Sequence, residues 1–86
     1  QWKREALESM SYRQQELFDA LGEWRKTTAQ EIGKPAFVVF TDRTLVEIAY
    51  YCPQTSKDLA GIHGIGQAKL QTYGADVLRV VQENLA

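Results

Sequence analysis

Four consecutive apolar residues, Phe37, Val38, Val39 and Phe40, stand between Pro35 and the polar pair Thr41-Asp42. β-Branched and aromatic residues in so short a run suit a buried strand. No partner strand exists, because the rest of the chain carries helical spacing. The run is therefore expected to be an extended link that crosses the core of an all-helical domain and joins two helices. Some of its side chains must then turn inward, and an aromatic ring left outside would need a reason.

Helical spacing is firmest from Gln14 to Ile32. Leu17, Phe18, Leu21, Trp24, Thr28 and Ile32 fall within an arc of about 120° when projected at about 100° per residue. Gly33 is a natural C-terminal cap for this helix, and Pro35 blocks its continuation. Beyond the link, Thr41 or Asp42 caps a second helix that runs to about Tyr51, with Leu45, Ile48, Ala49 and Cys52 as its inner stripe. Pro53 stops it, and Thr55 with Asp58 forms a capping-box pattern for a short third helix. Next comes the glycine-punctuated turn from Gly61 to Gly66. A fourth helix is expected from Gln67 to Tyr73, with Gly74 as its breaker. The fifth runs from about Ala75 to Leu85 with Val77, Leu78, Val81 and Leu85 inward. The fold expected is thus an all-α, compact five-helix bundle over residues 13–86. Residues 1–12 have partial helical spacing and read as a linker or an N-terminal helical extension.

At 86 residues the chain has room for one core, and an isolated enzyme of this size is not expected. Its 24% charged and 44% apolar residues are ordinary globular composition, neither disordered nor membrane-like. A soluble, intracellular chain is expected, since no apolar run approaches the length of a bilayer span and no signal-peptide pattern opens it. Gln1 in place of an initiator Met suggests a piece of a larger protein. Cys52, the single cysteine, cannot form an internal disulfide and reads as a structural thiol. Formal net charge is −1, so whole-chain electrostatics does not announce a nucleic-acid ligand and any such role needs a local patch.

Taken in order, several pieces resemble the HRDC domain, the helicase and RNase D C-terminal domain. They are Leu17-Phe18, Leu21 and Trp24-Arg25-Lys26, then Pro35 to Phe40, then Thr41-Asp42 and Thr44-Leu45. Ile62, Gly64-Ile65-Gly66, Lys69-Leu70 and Tyr73-Gly74 follow. The resemblance covers roughly Leu17 to Val81, and the family's five-helix bundle agrees with the fold read from spacing. It implies a non-catalytic accessory domain that binds DNA, often single-stranded, and targets a RecQ-like, ATP-dependent DNA helicase of repair and recombination. The ATP site would lie upstream. Two other roles stay open: docking to the helicase core or other proteins with weak DNA affinity, and positioning RNA in a ribonuclease D. The resemblance places the parent with the nucleoid in the cytoplasm if bacterial, or in the nucleus if eukaryotic.

The resemblance implies a DNA contact at Phe37, a position where the family commonly shows an exposed aromatic and where a ring could stack on an unpaired base. From the residues alone, Phe37 could equally turn inward with Val38 and Phe40. Arg25 and Lys26 match basic positions of the family's first helix. Arg25 projects to about 80°, at the edge of the apolar arc, where its stem can lie along the core and its head can pair with a carboxylate; Lys26, near 180°, is the freer cation. Lys34 beside the link and Arg43 at the start of the second helix complete a small basic and aromatic patch with Phe37. The turn carrying Gly64 and Gly66 resembles a helix-hairpin-helix, with Lys69 placed to assist phosphate contact. The plainer reading is a tight turn plugged by Ile62 and Ile65. It is neither a Walker nor a Rossmann loop. His63 has no companions at metal-ligand spacing, no cofactor is implied, and Asp42, Asp58 and Asp76 read as helix-start acids. No catalytic set can be assembled. Trp24 is core by spacing, whereas Trp2 fits no stripe and suggests a linker or partner contact. A monomer that binds DNA weakly and with strong salt dependence is expected.

Overall fold

The structure is a computed structural model describing residues 2–85; Gln1 and Ala86, the outermost positions of the two expected segments, lie outside the described residues. It is all-helical, with α1 Trp2–Ser9, α2 Tyr12–Ile32, α3 Ala36–Val39, α4 Asp42–Tyr51, α5 Ser56–Ala60 and α6 Gln67–Leu85. The central element is α2, against which α3, α4 and α6 pack, while α1 lies on α4 and α5 on α6. Its 21 residues make a rod of about 31 Å at about 1.5 Å per residue. That equals the long dimension of the molecule, 31 Å. Ile32, expected in the core, lies in the last turn of this rod and is exposed. Inward side chains from every helix except α1 meet in one core that includes Leu17, Leu21, Phe40, Leu45, Ile48, Leu59, Val77 and Val81.

Helix ends follow the local chemistry. Ser11 accepts from the Gln14 amide and the Gln14 side chain accepts from the Ser11 amide, so a capping box starts α2 at Tyr12, two residues before the expected start. At the other end Gly33 is left-handed (φ 66°), and the Lys34 amide donates to Ala29 O at 3.0 Å. Thr41 is the cap of α4 and accepts from the Thr44 amide, leaving Asp42 as the first helical residue. Cys52 ends α4 at φ 49°, and its thiol donates to Ala49 O. Burial pushes that thiol up from its ordinary pKa, which makes it less nucleophilic.

Two sequence expectations are corrected. The link from Pro35 to Phe40 is not extended, because Ala36–Val39 forms a helical turn in which the Val38 amide donates to Pro35 O and the Phe40 amide to Ala36 O. A strand would bury alternate residues. Here consecutive residues pair instead, with Val39 and Phe40 buried and Phe37 and Val38 exposed. Gly74 does not break a helix, so the expected fourth and fifth helices are one, α6. The apolar stripe of Leu70, Tyr73, Val77 and Val81 runs through Gly74 in one phase. A Cβ at Gly74 would lie 3.3 Å from Leu70 Cδ1, one turn earlier in α6, so the glycine leaves room for the Leu70 side chain, while Leu59 of α5 packs over the same spot at ordinary contact distance.

Candidate nucleic-acid interface

The turn α3 decides which rings face outward. Phe40 is 1% exposed and forms a cluster with Trp24 and Tyr73, with centroid separations of 5.6 to 5.9 Å around the trio. Phe37, three residues earlier, is 66% exposed. It lines a shallow groove with Trp2, Ala36, Thr41, Arg43 and the ion pair of Arg25 and Asp42.

That ion pair ties three helices together. Arg25 on α2 donates to Phe40 O at 2.9 Å and to Asp42 Oδ1 at 2.8 Å, so its guanidinium is spent on fixing the α3–α4 junction. Lys3 of α1 donates to the other oxygen, Asp42 Oδ2, at 3.0 Å. Bonded to Lys3 and Arg25, the Asp42 carboxyl titrates below its ordinary value. A carboxylate with a lowered native pKa stabilises the fold above its unfolded pKa, and that contribution is lost as pH falls through the native value. Asp42→Asn is therefore expected to cost about 1 to 2 kcal/mol near neutral pH, discounted for the solvent access of Asp42. The gap from wild type should close below about pH 4. Urea unfolding at a series of pH values measures this, and equal stabilities at neutral pH would contradict it.

The structure distributes the sequence-derived candidates unevenly. Phe37, Arg43 and the inward-facing Arg25 share the groove. Arg43 is exposed and donates to Glu47 Oε2 at 3.2 Å, one turn along α4. Lys34, two residues before α3, and Lys26 on α2 are exposed. No ion pair joins either to a described residue. Lys69, by contrast, lies with its ammonium 5.5 Å from the centroid of the buried Phe40 ring, a cation–π arrangement that binds it to the core edge.

Gly64 and Gly66 are not among the residues that line the groove. Gly64 adopts φ 87°, and a Cβ there would collide with Thr44 Oγ1. Thr44 is buried, and its hydroxyl donates to His63 O at 2.9 Å while the His63 amide donates to Glu47 Oε1. The turn is thus clipped onto α4, and Ile62 and Ile65 are buried beneath it. Gly66 has open space around it. Among the described residues no group of His, Cys, Asp or Glu could hold a metal, and no helix is long and apolar enough to cross a membrane.

Two residues of the groove and its bracing escaped the candidate set. Trp2 carried a signal, an aromatic with no stripe to belong to. Lys3 carried none, since its partner Asp42 is 39 residues away.

These features define a small helical domain with one exposed aromatic and basic edge. The chain belongs to the HRDC domain family, which matches residues 14–81. It is similar to the ATP-dependent DNA helicase UvrD2 of Mycobacterium tuberculosis, 48% identical over 68 residues, 79% of this chain and 10% of that protein. It is also similar to the ATP-dependent DNA helicase RecQ of Bacillus subtilis, 38% identical over 81 residues, 93% of this chain and 14% of that protein. The chain therefore spans about a tenth of the length of these bacterial relatives. HRDC domain 3 of D. radiodurans RecQ has the same fold, with a TM-score of 0.82 at 36% identity over 87% of this chain and 97% of that domain. The likeness to UvrD2 widens the helicase kinship beyond RecQ.

Proposed function

We propose that this domain is a DNA-binding accessory module of a helicase of the RecQ or UvrD2 kind, holding single-stranded or branched DNA for a motor that lies elsewhere in the parent. The observation that carries this reading is the exposed Phe37 ring, fixed on a rigid turn between the cations Lys34 and Arg43. A ring in that setting offers a face to an unpaired base, an interaction worth about 1 to 3 kcal/mol per base in single-strand binders. Lys26, Lys34 and Arg43 supply the positive charge for the flanking phosphates. Arg25 acts indirectly, by positioning α3.

With three phosphate contacts, the logarithm of affinity should fall against that of salt with a slope of roughly −2, about −0.7 per contact. Raising salt from about 50 to about 200 mM should then weaken binding roughly fifteenfold. Fluorescence anisotropy with a labelled single-stranded oligonucleotide measures both affinity and slope. No binding at the lowest salt, or a slope near zero, would overturn the reading.

A docking role toward the helicase core is the second reading. The exposed Tyr50 and Tyr51, edge to face at 5.0 Å at the opposite end of α4 from Arg43, favour it. Chemical shift changes confined to these tyrosines on addition of the motor domain would support that role.

A further inference from the structure

Trp2 is 54% exposed and stands outside the part of the chain matched by the HRDC family, residues 14–81. It nevertheless lines the same groove as Phe37. On its other side Trp2 lines a neighbouring groove with Ala6, Val46, Glu47 and Arg43. Trp2 is thus a ridge between two concavities, and Arg43 borders both.

The helix that carries the ring is anchored. Lys3, the next residue, is bonded to Asp42, Ala6 and Leu7 pack against the core, and Met10 is buried in it. Packing on α4 thus uses one part of the Trp2 surface and leaves the rest in solvent. Asp42, the carboxylate of the groove, is neutralised by both Arg25 and Lys3 and does not repel a polyanion. Among the residues lining the two grooves, Arg25 and Arg43 balance Asp42 and Glu47. Lys3, bonded to Asp42 from beside them, adds one positive charge at their edge, although the whole chain is at −1.

We propose that Trp2 is a second base-stacking residue, so that Trp2 and Phe37 form the two walls of one single-strand subsite with Arg43 at the phosphate between them. This rests on the DNA-binding reading above and extends it: the strand runs from α3 across α4 onto α1. Two platforms on separate, braced helices hold successive unpaired bases, and stacking of this kind tolerates any sequence because every base has a π face. The ligand class is single-stranded nucleic acid with at least two unstacked bases, whereas a fully paired duplex offers neither ring a partner.

The test uses the 86-residue chain, a short labelled oligothymidylate and low salt. Trp2→Leu keeps apolar bulk for packing α1 on α4 but removes the π face, and Trp2→Phe restores one. Trp2→Leu is expected to weaken binding roughly five- to a hundredfold, by the worth of one stacked base. Trp2→Phe should bind nearly as wild type. Tryptophan emission should be quenched by the oligonucleotide in wild type and not in Trp2→Phe, where only the core residue Trp24 remains. Wild-type affinity in Trp2→Leu together with weakened binding in Phe37→Ala would overturn the second platform and leave the Phe37 interface standing. Unchanged binding in both variants would remove the interface itself. Equal losses in Trp2→Leu and Trp2→Phe would show that the indole supports the fold of α1 and does not stack.

Discussion

Phe40→Ala is expected to lower the unfolding free energy by about 3 to 5 kcal/mol, the range for truncating a buried aromatic. A domain of 86 residues holds roughly 4 to 13 kcal/mol in total, so this one change consumes a large part of it. The cause is specific. Phe40 fills the space between Trp24 and Tyr73 and carries Lys69 over its ring, and it is 1% exposed. Its loss leaves a cavity where α2, α3 and α6 meet. Phe37→Ala, three residues away in the same apolar run, should change stability by no more than about 0.5 kcal/mol because its ring is in solvent. Urea unfolding of the two variants measures the difference, and similar losses in both would contradict the inward and outward assignments.

Gly64→Ala should be nearly as damaging, at about 2 to 5 kcal/mol. About 1 to 2 kcal/mol comes from placing a side chain in the left-handed region. The remainder, about 1 to 3 kcal/mol, comes from displacing the Thr44 hydroxyl and leaving buried polar groups unpaired. Thr44 Oγ1 now donates to His63 O at 2.9 Å, just where the added Cβ would press. The measurement is again denaturant unfolding, with two comparisons that isolate the cause. Gly66→Ala, in open space and without positive φ, should cost no more than about 0.5 kcal/mol. In a Thr44→Ala background the cost of Gly64→Ala should shrink to its backbone part, since the colliding oxygen is gone. Equal effects at Gly64 and Gly66 would contradict the clip between this turn and α4.

How far the sequence could be read depended on the range of the interactions involved. The central helix and α4 were legible because periodicity, Gly33, Pro35, Thr41 and Pro53 all act within a few residues of one another. The Ser11–Gln14 capping box was equally local and could have placed the start of α2 correctly. Gly74 misled because helix propensity is a local prior, while α6 continues through it on the burial of an apolar stripe that spans both sides of the glycine. The run from Phe37 to Phe40 misled differently. Four apolar residues are too few to reveal a period, and the in-or-out pairing that marks a helical turn appears only once α2 lies beneath it. At the candidate interface, the chemistry of Phe37, Lys34 and Arg43 was visible in the sequence and the direction of the ring was not. Arg25 was read as a core-edge residue able to pair with a carboxylate, and it does so. The bracing of Asp42 by Lys3, and the approach of Trp2 to the same groove, join segments too far apart for any local pattern to show.

Phe37 is the residue on which the functional account rests, and oligonucleotide binding by Phe37→Ala tests it most directly. Anisotropy titration with single-stranded DNA at low salt should show binding weakened roughly five- to a hundredfold relative to wild type, the worth of one stacked base. The unfolding midpoint should stay where it is. Undiminished binding by a folded Phe37→Ala domain would contradict the account.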